Sequence, residues 1–207
     1  LKLIFELGGD ENKINNKHIV SGLNVSAASV SEMISKLVKE GLVLHSPYQG
    51  VQLTELGLTM ASTLIRKHRL WEVFLVEHLN YSWNEVHDEA EVLEHVTSET
   101  LADRLSDYLK HPKFCPHGGV IPEANQPVHE EKHQTLADYP VGTEIRIARV
   151  LDEKELLDYL VSLRLNIHET YTVEEIAAYE GPITIKNDEK TLVVSYKAAS
   201  TIFVDPL

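Results

Sequence analysis

The chain has 207 residues, 43% of them hydrophobic, and a formal net charge of −13, so it is long enough for more than one domain. No apolar run approaches the ~20 residues that cross a bilayer, which excludes a membrane-spanning protein. An intramolecular disulfide is also excluded, because Cys115 is the single cysteine. The sequence begins at Leu1 rather than Met and shows no secretory signal. We therefore predict a cytoplasmic protein without membrane contact.

The charge is unevenly distributed along the chain. Residues 1–70 carry eight Lys and Arg against six Asp and Glu, whereas residues 71–207 carry eleven against 26. This division allows the N-terminal part to bind an anion such as DNA and the remainder to bind cations. An acidic surface that only confers solubility is the alternative that charge alone leaves open.

The first third of the chain has the pattern of a winged helix-turn-helix. Apolar residues at helical spacing alternate with turn residues, and two short apolar segments flank a Ser-Pro-Tyr-Gln-Gly turn. The predicted elements are helices over residues 1–7, 16–22 and 27–40, a turn at 24–26, and strands at 42–45 and 51–54. Helix, turn, helix and hairpin in this order are typical of a winged helix-turn-helix.

The remainder of the chain predicts a helical segment followed by a small β domain. The predicted elements are helices over residues 54–79, 83–95, 97–110 and 153–163, a loop over 112–133, and strands within 144–150, 171–185, 192–196 and 202–204. Short strands with one helix indicate a small β-barrel. We therefore expect a mainly α protein with three units, over residues 1–63, 64–134 and 135–207.

The third predicted helix has the residue types of a DNA-reading helix. Small and polar side chains at its start allow close approach to the major groove and contact with phosphates or base edges, while Lys36 can neutralise a phosphate. Tyr48 lies on the predicted wing. An ordinary helix pair with a serine cap is the alternative. The candidate DNA-contacting residues are Ser26, Ala28, Ser29, Ser31, Glu32, Lys36 and Tyr48.

A stripe of imidazoles and carboxylates follows on the helical segment. His87, Glu91, Glu94 and His95 are spaced i, i+4, i+7 and i+8, so they share one helix face. The preceding helix carries His68 and Glu72 at i, i+4, and antiparallel packing would bring the two sets together. Such a concentration of ligand types indicates a divalent cation. Solvated surface pairs are the alternative.

The loop after these helices contains a second candidate ligand pair. Cys115 and His117 are separated by Pro116, and together they offer a soft and a borderline ligand to one ion. Alternatively, Cys115 is a small buried apolar residue next to a surface histidine. Neither CxxC nor HExxH occurs in the sequence, which argues against a zinc finger or a zincin protease.

These motifs together resemble the diphtheria toxin repressor family of metalloregulators, and in particular its streptococcal manganese-responsive branch. The resemblance is carried by SAASVSEMISKLVKEGLV (26–43), RKHRLWE (66–72), VHDEAEVLEHVTSE (86–99) and the Cys-Pro-His-Gly loop. It implies a winged helix-turn-helix, a helical metal-binding and dimerisation domain and a C-terminal FeoA-like barrel. It also implies a homodimer that binds a palindromic operator in double-stranded DNA when loaded with metal.

The resemblance also implies which residues bind the metal. The family's ligand positions correspond to His68, Glu72, His87, Glu91, Glu94 and His95, and the streptococcal branch implies a site of Glu72, Cys115, His117 and Asp152. Iron-sensing members have cysteine at the position of Glu91, so the carboxylate favours Mn(II) over Fe(II), while Cys115 also suits Zn(II). Bacillus-type manganese regulators have glutamate where this chain has Lys2, which argues against their paired-ion arrangement. A further acidic ligand is expected upstream of Leu1.

We therefore predict a manganese-dependent homodimeric repressor, with Fe(II) and Zn(II) as alternative metals, that controls metal-uptake genes. The apolar stripe of Leu101, Leu105, Tyr108 and Leu109 is a candidate dimer seam, with packing inside the subunit as the alternative. A metal-dependent enzyme is the second functional class, although no nucleophile motif or phosphate loop occurs. A zinc- or iron-binding protein without DNA binding is the third.

Overall fold

The N-terminal third folds into three short helices and a two-stranded antiparallel hairpin. The computed structural model describes residues 1–23, 25–129 and 133–207. The elements are α1 (Lys2–Glu6), α2 (Asn16–Leu23), α3 (Ala27–Lys39), β1 (Val43–Ser46) and β2 (Gly50–Leu53). This order confirms the predicted winged helix-turn-helix, with the hairpin as its wing. The predicted turn at residues 24–26 includes Asn24, which lies outside the described residues.

Helix α3 begins and ends at residues that satisfy its backbone. The Ser26 hydroxyl accepts a hydrogen bond from the Ser29 amide at 3.1 Å, which caps the first turn. Gly41, with φ of +71°, follows the end of the helix. Only Val30 and Ile34 of this helix are buried, and they pack in the core of the winged domain. Leu37 packs against the same core, and the exposed side of α3 is available to an external partner.

Helix α4 (Glu55–Leu79) joins the winged domain to the metal-binding region. Its N-terminal half contributes Ala61 and Ile65 to the winged-domain core, and its C-terminal half contributes Leu70 and Val73 to the next core. One continuous helix therefore belongs to both cores. The predicted division between residues 63 and 64 falls within α4 and stays a prediction.

Gly57 allows the start of α4 to lie directly against the wing. A Cβ at this position would lie 1.9 Å from the Leu42 carbonyl oxygen, so a larger residue would force the backbones apart. The helix predicted over residues 54–79 includes this glycine, and the observed helix is continuous through it.

Two further helices pack on α4. They are α5 (Val86–Val96) and α6 (Glu99–Tyr108), each shorter than predicted. Helix α5 begins three residues late because Asn80, in the left-handed conformation, ends α4 and a turn precedes Val86. No helix in the described part of the chain is both long enough and apolar enough to cross a membrane.

The C-terminal region is a six-stranded antiparallel sheet with two helices. Its elements are β3 (Gln134–Thr135), β4 (Glu144–Val150), α7 (Lys154–Leu163), β5 (Thr170–Ile176), β6 (Ile183–Lys186), β7 (Thr191–Val194), α8 (Tyr196–Ala199) and β8 (Ile202–Pro206). The strand order is β3-β8-β4-β5-β6-β7. The predicted helix and strands are confirmed, and β3 and α8 are additional.

The prediction of a closed barrel is wrong, because the sheet is open in the described residues. Strands β3 and β7 form its two edges and do not pair with each other. Strand β3 has only two residues, which is too short to close a barrel. Helix α7 instead covers the sheet with Leu156, Leu157 and Leu160, which share one core with Ile145 and Ile183.

The segment after α6 returns to the winged domain. A loop that includes the bridge between Phe114 and Val120 is followed by residues 121–129, which we call the return segment. Val128 is buried in the winged-domain core, and its amide donates to the Ser62 hydroxyl on α4 at 2.7 Å. The segment therefore ties the loop to the DNA-binding unit. Residues 130–132 of the predicted linker lie outside the described residues.

Candidate metal centre

The candidate centre lies where α4, α5, the 113–121 loop and the connection after β4 meet. His68 and Glu72 are one turn apart on α4, so both side chains point to the same side of the helix. Both are buried, as is Glu94 on α5. Asp152 follows β4 and reaches back to the helices, where its Oδ2 lies 3.0 Å from His68 Nε2. The predicted convergence of separate segments is therefore observed.

Backbone hydrogen bonds hold the loop that carries Cys115 and His117 in place. The Cys115 amide donates to the Gly119 carbonyl, and the Gly118 amide donates to the Cys115 carbonyl, each at 2.9 Å. Gly118 has φ of +83°, and a Cβ there would lie 2.2 Å from the Ala148 carbonyl oxygen, so only glycine fits against β4. The Val150 amide then donates to the His117 carbonyl at 3.0 Å.

Glu72, Cys115 and His117 form the first group of ligand atoms, all within 4.8 Å of one another. His117 Nδ1 lies 3.0 Å from Glu72 Oε1 and 3.7 Å from Asp152 Oδ1. The other ring nitrogen, Nε2, is 2.6 Å from the Trp83 carbonyl oxygen and donates to it. This contact orients the ring and leaves Nδ1 facing the group, as outer partners of metal-binding histidines do.

A second group shares Glu72 with the first. His68, Glu72, His87 and Asp152 place their ligand atoms within 4.8 Å of one another. His68 Nε2 lies 3.2 Å from Glu72 Oε1, and His87 Nδ1 lies 2.7 Å from Asp152 Oδ2. Glu72 and Asp152 therefore lie between the two groups, with one Asp152 oxygen directed to each.

The third group contains His68, Glu91 and Glu94, and the Lys2 ammonium lies among them. His68 Nδ1 is 2.6 Å from Glu94 Oε2, while Lys2 Nζ is 2.7 Å from Glu91 Oε2 and 3.0 Å from Glu94 Oε2. His95 was predicted with this set, but its side chain is 60% exposed and its Nε2 is 3.6 Å from Glu94 Oε1. His95 is not among the residues whose ligand atoms lie within 4.8 Å of one another.

Lys2 was not predicted as a site residue. Lys2 and Glu6 are spaced i, i+4 on the first helix, which is typical of a surface ion pair. The distance of 89 residues between Lys2 and Glu91 leaves no local signal in the sequence. The other unpredicted contributor is the Trp83 carbonyl, which any residue type would supply.

Neighbouring carboxylates and imidazoles shift one another's pKa values in this region. Burial raises the pKa of Glu72, but the neighbouring His117 and His68 outweigh this and hold it well below its usual range. Burial lowers the pKa of His117, but Glu72 raises it well above the usual value. Burial and the Glu72 charge raise the pKa of the Cys115 thiol. Without a divalent cation the region is an imidazolium–carboxylate network with a neutral thiol.

These residues fit a divalent cation. Five buried atoms of this region have no partner in hydrogen-bond geometry within the described residues: Glu72 Oε1 and Oε2, Glu94 Oε1, His117 Nδ1 and Asp152 Oδ1. A buried acceptor without a partner costs about 1–3 kcal/mol, and more when charged. Nitrogen, oxygen and sulfur donors at this separation match Mn(II), Fe(II) or Zn(II).

The candidate DNA-contacting residues are all exposed. Ala28, Ser29, Ser31, Glu32 and Lys36 lie on the exposed side of α3, which Ser26 caps. Tyr48 is fully exposed at the tip of the wing, with φ of +64°. The Ser31 hydroxyl donates to the Ala27 carbonyl at 2.9 Å, so its oxygen still has lone pairs free to accept.

A winged helix-turn-helix that shares a continuous helix with a buried imidazole–carboxylate–thiol cluster defines a metal-dependent DNA-binding regulator. Three family models match the chain: "Iron dependent repressor, N-terminal DNA binding domain" over residues 1–51, "Iron dependent repressor, metal binding and dimerisation domain" over 54–123, and "FeoA domain" over 134–206. The chain belongs to the diphtheria toxin repressor family, a family of metal-dependent transcriptional repressors rather than enzymes.

Known relatives support this assignment over most of the chain. The diphtheria toxin repressor of Corynebacterium efficiens is 30% identical over 162 residues, covering 76% of this chain and 70% of that protein. The structure of the manganese regulator SloR is 43% identical with a TM-score of 0.88, covering 100% and 96% of the two chains. The structure of ScaR with bound Cd2+ is 38% identical with a TM-score of 0.90, covering 100% and 97%.

One relative is much longer. A probable metal transport system membrane protein of Chlamydia trachomatis serovar D is 46% identical over 87 residues, which is 42% of this chain and 19% of that protein. The matched segment therefore makes up about one fifth of that relative.

Proposed function

We propose that the protein is a Mn(II)-dependent homodimeric repressor whose regulatory ion is held by Glu72, Cys115, His117 and Asp152. Such a repressor binds a palindromic operator when loaded and controls metal-uptake genes from the cytoplasm. The observation that carries the proposal is the set of buried polar atoms on Glu72, His117 and Asp152 that face one another but have no partner in hydrogen-bond geometry. These atoms come from α4, the 113–121 loop and the connection after β4.

The proposed ligands come from segments with different roles in the fold. Glu72 lies on the helix that enters the winged-domain core, and His117 is hydrogen bonded to β4 through its backbone. When bound, the ion supplies positive charge that neutralises the buried carboxylates and joins these segments. Glu72 and the Cys115 thiolate would hold it, while the Trp83 carbonyl orients the ring of His117. His68 and His87 orient Asp152 through Oδ2.

The choice of Mn(II) rests on the ligand types and on the relatives. Two carboxylates and an imidazole suit Mn(II), whereas the Cys115 thiolate also suits Zn(II) and Fe(II). SloR is described as a manganese regulator, which favours Mn(II) here, while ScaR has been observed with Cd2+. We therefore propose Mn(II), with Zn(II) and Fe(II) as the alternatives that the experiment must separate.

The dimer is supported by apolar side chains exposed on α5 and α6. Val92 is 66% and Val96 76% exposed, and Leu101 and Tyr108 are also exposed. Leu105 of the predicted seam instead packs inside the subunit, as does Leu109. A second copy that covers the exposed residues would remove this apolar surface from water. The matched family model is itself that of a metal-binding and dimerisation domain.

DNA contact is proposed for the exposed side of α3 and for the wing. Ser29 and Ser31 would lie at base edges or phosphates, Lys36 at a phosphate, and Tyr48 at the backbone beside the wing. The remaining proposed contacts are Ser26, Ala28 and Glu32. Residues 1–63 are proposed as the DNA-binding unit, 64–134 as the metal-binding and dimerisation unit and 135–207 as the FeoA-like unit.

The proposal is tested with an operator selected from a randomised duplex library by the Mn(II)-loaded protein. Retardation of this duplex is then compared for metal-free protein and for protein with Mn(II), Zn(II) or Fe(II) under anaerobic conditions. We expect sequence-specific binding with Mn(II) and much weaker binding without metal. Equal binding by the metal-free protein, or activation by Zn(II) alone, would contradict the proposal.

A further inference from the structure

We propose that Lys2 is the resident cation of the group formed by His68, Glu91 and Glu94, and that a second divalent ion must displace it. The Lys2 ammonium contacts all three residues: Nζ is 2.7 Å from Glu91, 3.0 Å from Glu94 and 3.0 Å from His68 Nδ1. The inference rests on the proposed function, because it concerns a position beside the proposed regulatory ion.

The Lys2 ammonium, together with His68, compensates the negative charge of the two carboxylates. The side chain of Lys2 is 13% exposed and that of Glu94 is fully buried. Two neighbouring carboxylates repel each other, and water screens the repulsion only in part here, because Glu94 is buried although Glu91 is 47% exposed. A positive charge in contact with both removes that repulsion. An ion that used the same oxygens of Glu91 and Glu94 would lie within a few ångströms of Nζ, so the two cations compete for one position.

The position of Lys2 links this competition to the DNA-binding unit. Lys2 begins α1, whose Ile4 and Phe5 are buried in the winged-domain core. Glu91 and Glu94 lie on α5 in the metal-binding region. The contact is therefore an ion pair between the two units, and displacement of Lys2 removes it. Occupation of the second position then changes how α1 is held, whereas occupation of the proposed regulatory site leaves Lys2 in place.

The first test measures Mn(II) binding to wild-type protein, Lys2→Met and Lys17→Met by equilibrium dialysis with elemental analysis. Methionine keeps most of the aliphatic length of lysine and removes the charge, and exposed Lys17 on α2 is the matched control. We expect the second Mn(II) to bind about tenfold more tightly to Lys2→Met, within the range of ordinary coupling between sites. The first Mn(II) and the Lys17→Met variant should be unchanged.

The two proposals fail in distinguishable ways. If His117→Ala binds its first Mn(II) as tightly as wild type does, the proposed regulatory site is wrong. The competition at Lys2 is tested separately, by the affinity for the second Mn(II). A second-ion affinity that is the same in Lys2→Met and wild type would overturn the role of Lys2.

A second measurement uses the wild-type protein and needs no variant to fold. Lysine acetylation by a small reagent, read by mass spectrometry, reports the exposure of each amine. We expect Lys2 to be protected in metal-free protein and at one Mn(II) per chain, and to become several-fold more reactive when the second ion binds. Reactivity that stays constant across the whole titration would contradict displacement.

Discussion

Replacement of His117 by alanine should weaken Mn(II) binding strongly. The side chain is buried, its Nδ1 lies within 3.0 Å of Glu72, and its Nε2 donates to the Trp83 carbonyl. Loss of an outer partner of a metal ligand typically costs 10–100-fold in affinity. Loss of the ligand itself should therefore cost about 100-fold or more, equivalent to about 2.7 kcal/mol.

The assay follows operator binding by fluorescence anisotropy while Mn(II) is titrated. Because coupling between two ligands is reciprocal, a weaker Mn(II) site shifts the metal midpoint to higher concentration by a similar factor. The control is His111→Ala, since the His111 side chain is 67% exposed and lies outside the centre. Circular dichroism verifies that both variants are folded. A midpoint for His117→Ala that coincides with that of wild type would refute the reasoning.

Three further predictions follow from buried and exposed residues. In metal-free protein, Glu72 raises the pKa of His68 and His117 despite their burial. Their contribution to the free energy of unfolding is thus complete below about pH 6.5 and is lost as pH rises through the raised pKa values. Urea unfolding should therefore show a stability that falls as pH rises above about 6.5; a stability that does not change with rising pH would count against the network. Val128→Ala should lower the free energy of unfolding by about 2 kcal/mol, since two buried methyl groups are lost, and a change below about 0.5 kcal/mol would argue against a docked return segment. Lys36→Ala should reduce the slope of log affinity against log salt by about one; an unchanged slope would exclude a phosphate contact.

The sequence was sufficient for elements whose periodicity is regular. Helix α4 was predicted over residues 54–79 and runs over Glu55–Leu79, because its apolar residues serve two cores at helical spacing. Closure of the C-terminal sheet was predicted wrongly, since whether edge strands meet depends on their length and on the packing of α7. Neither property can be read from strand propensity.

The sequence predicted the residue types of the candidate centre but not all of the contacts among them. Spacing on helices identified His68, Glu72 and Glu94, and all three are buried together. The same spacing predicted His95 with them, but its side chain is 60% exposed. Whether a residue on that helix face is buried depends on how close the neighbouring segments lie, which the spacing does not show. Lys2 was missed because a long-range ion pair leaves no mark in local sequence.

The most direct test of the central claim is anomalous scattering at the manganese edge from crystals loaded with Mn(II). The account predicts a peak within bonding distance of Glu72, Cys115, His117 and Asp152. A peak found only beside Glu91 and His95, or no peak in crystals of protein that binds operator in a Mn(II)-dependent manner, would contradict it.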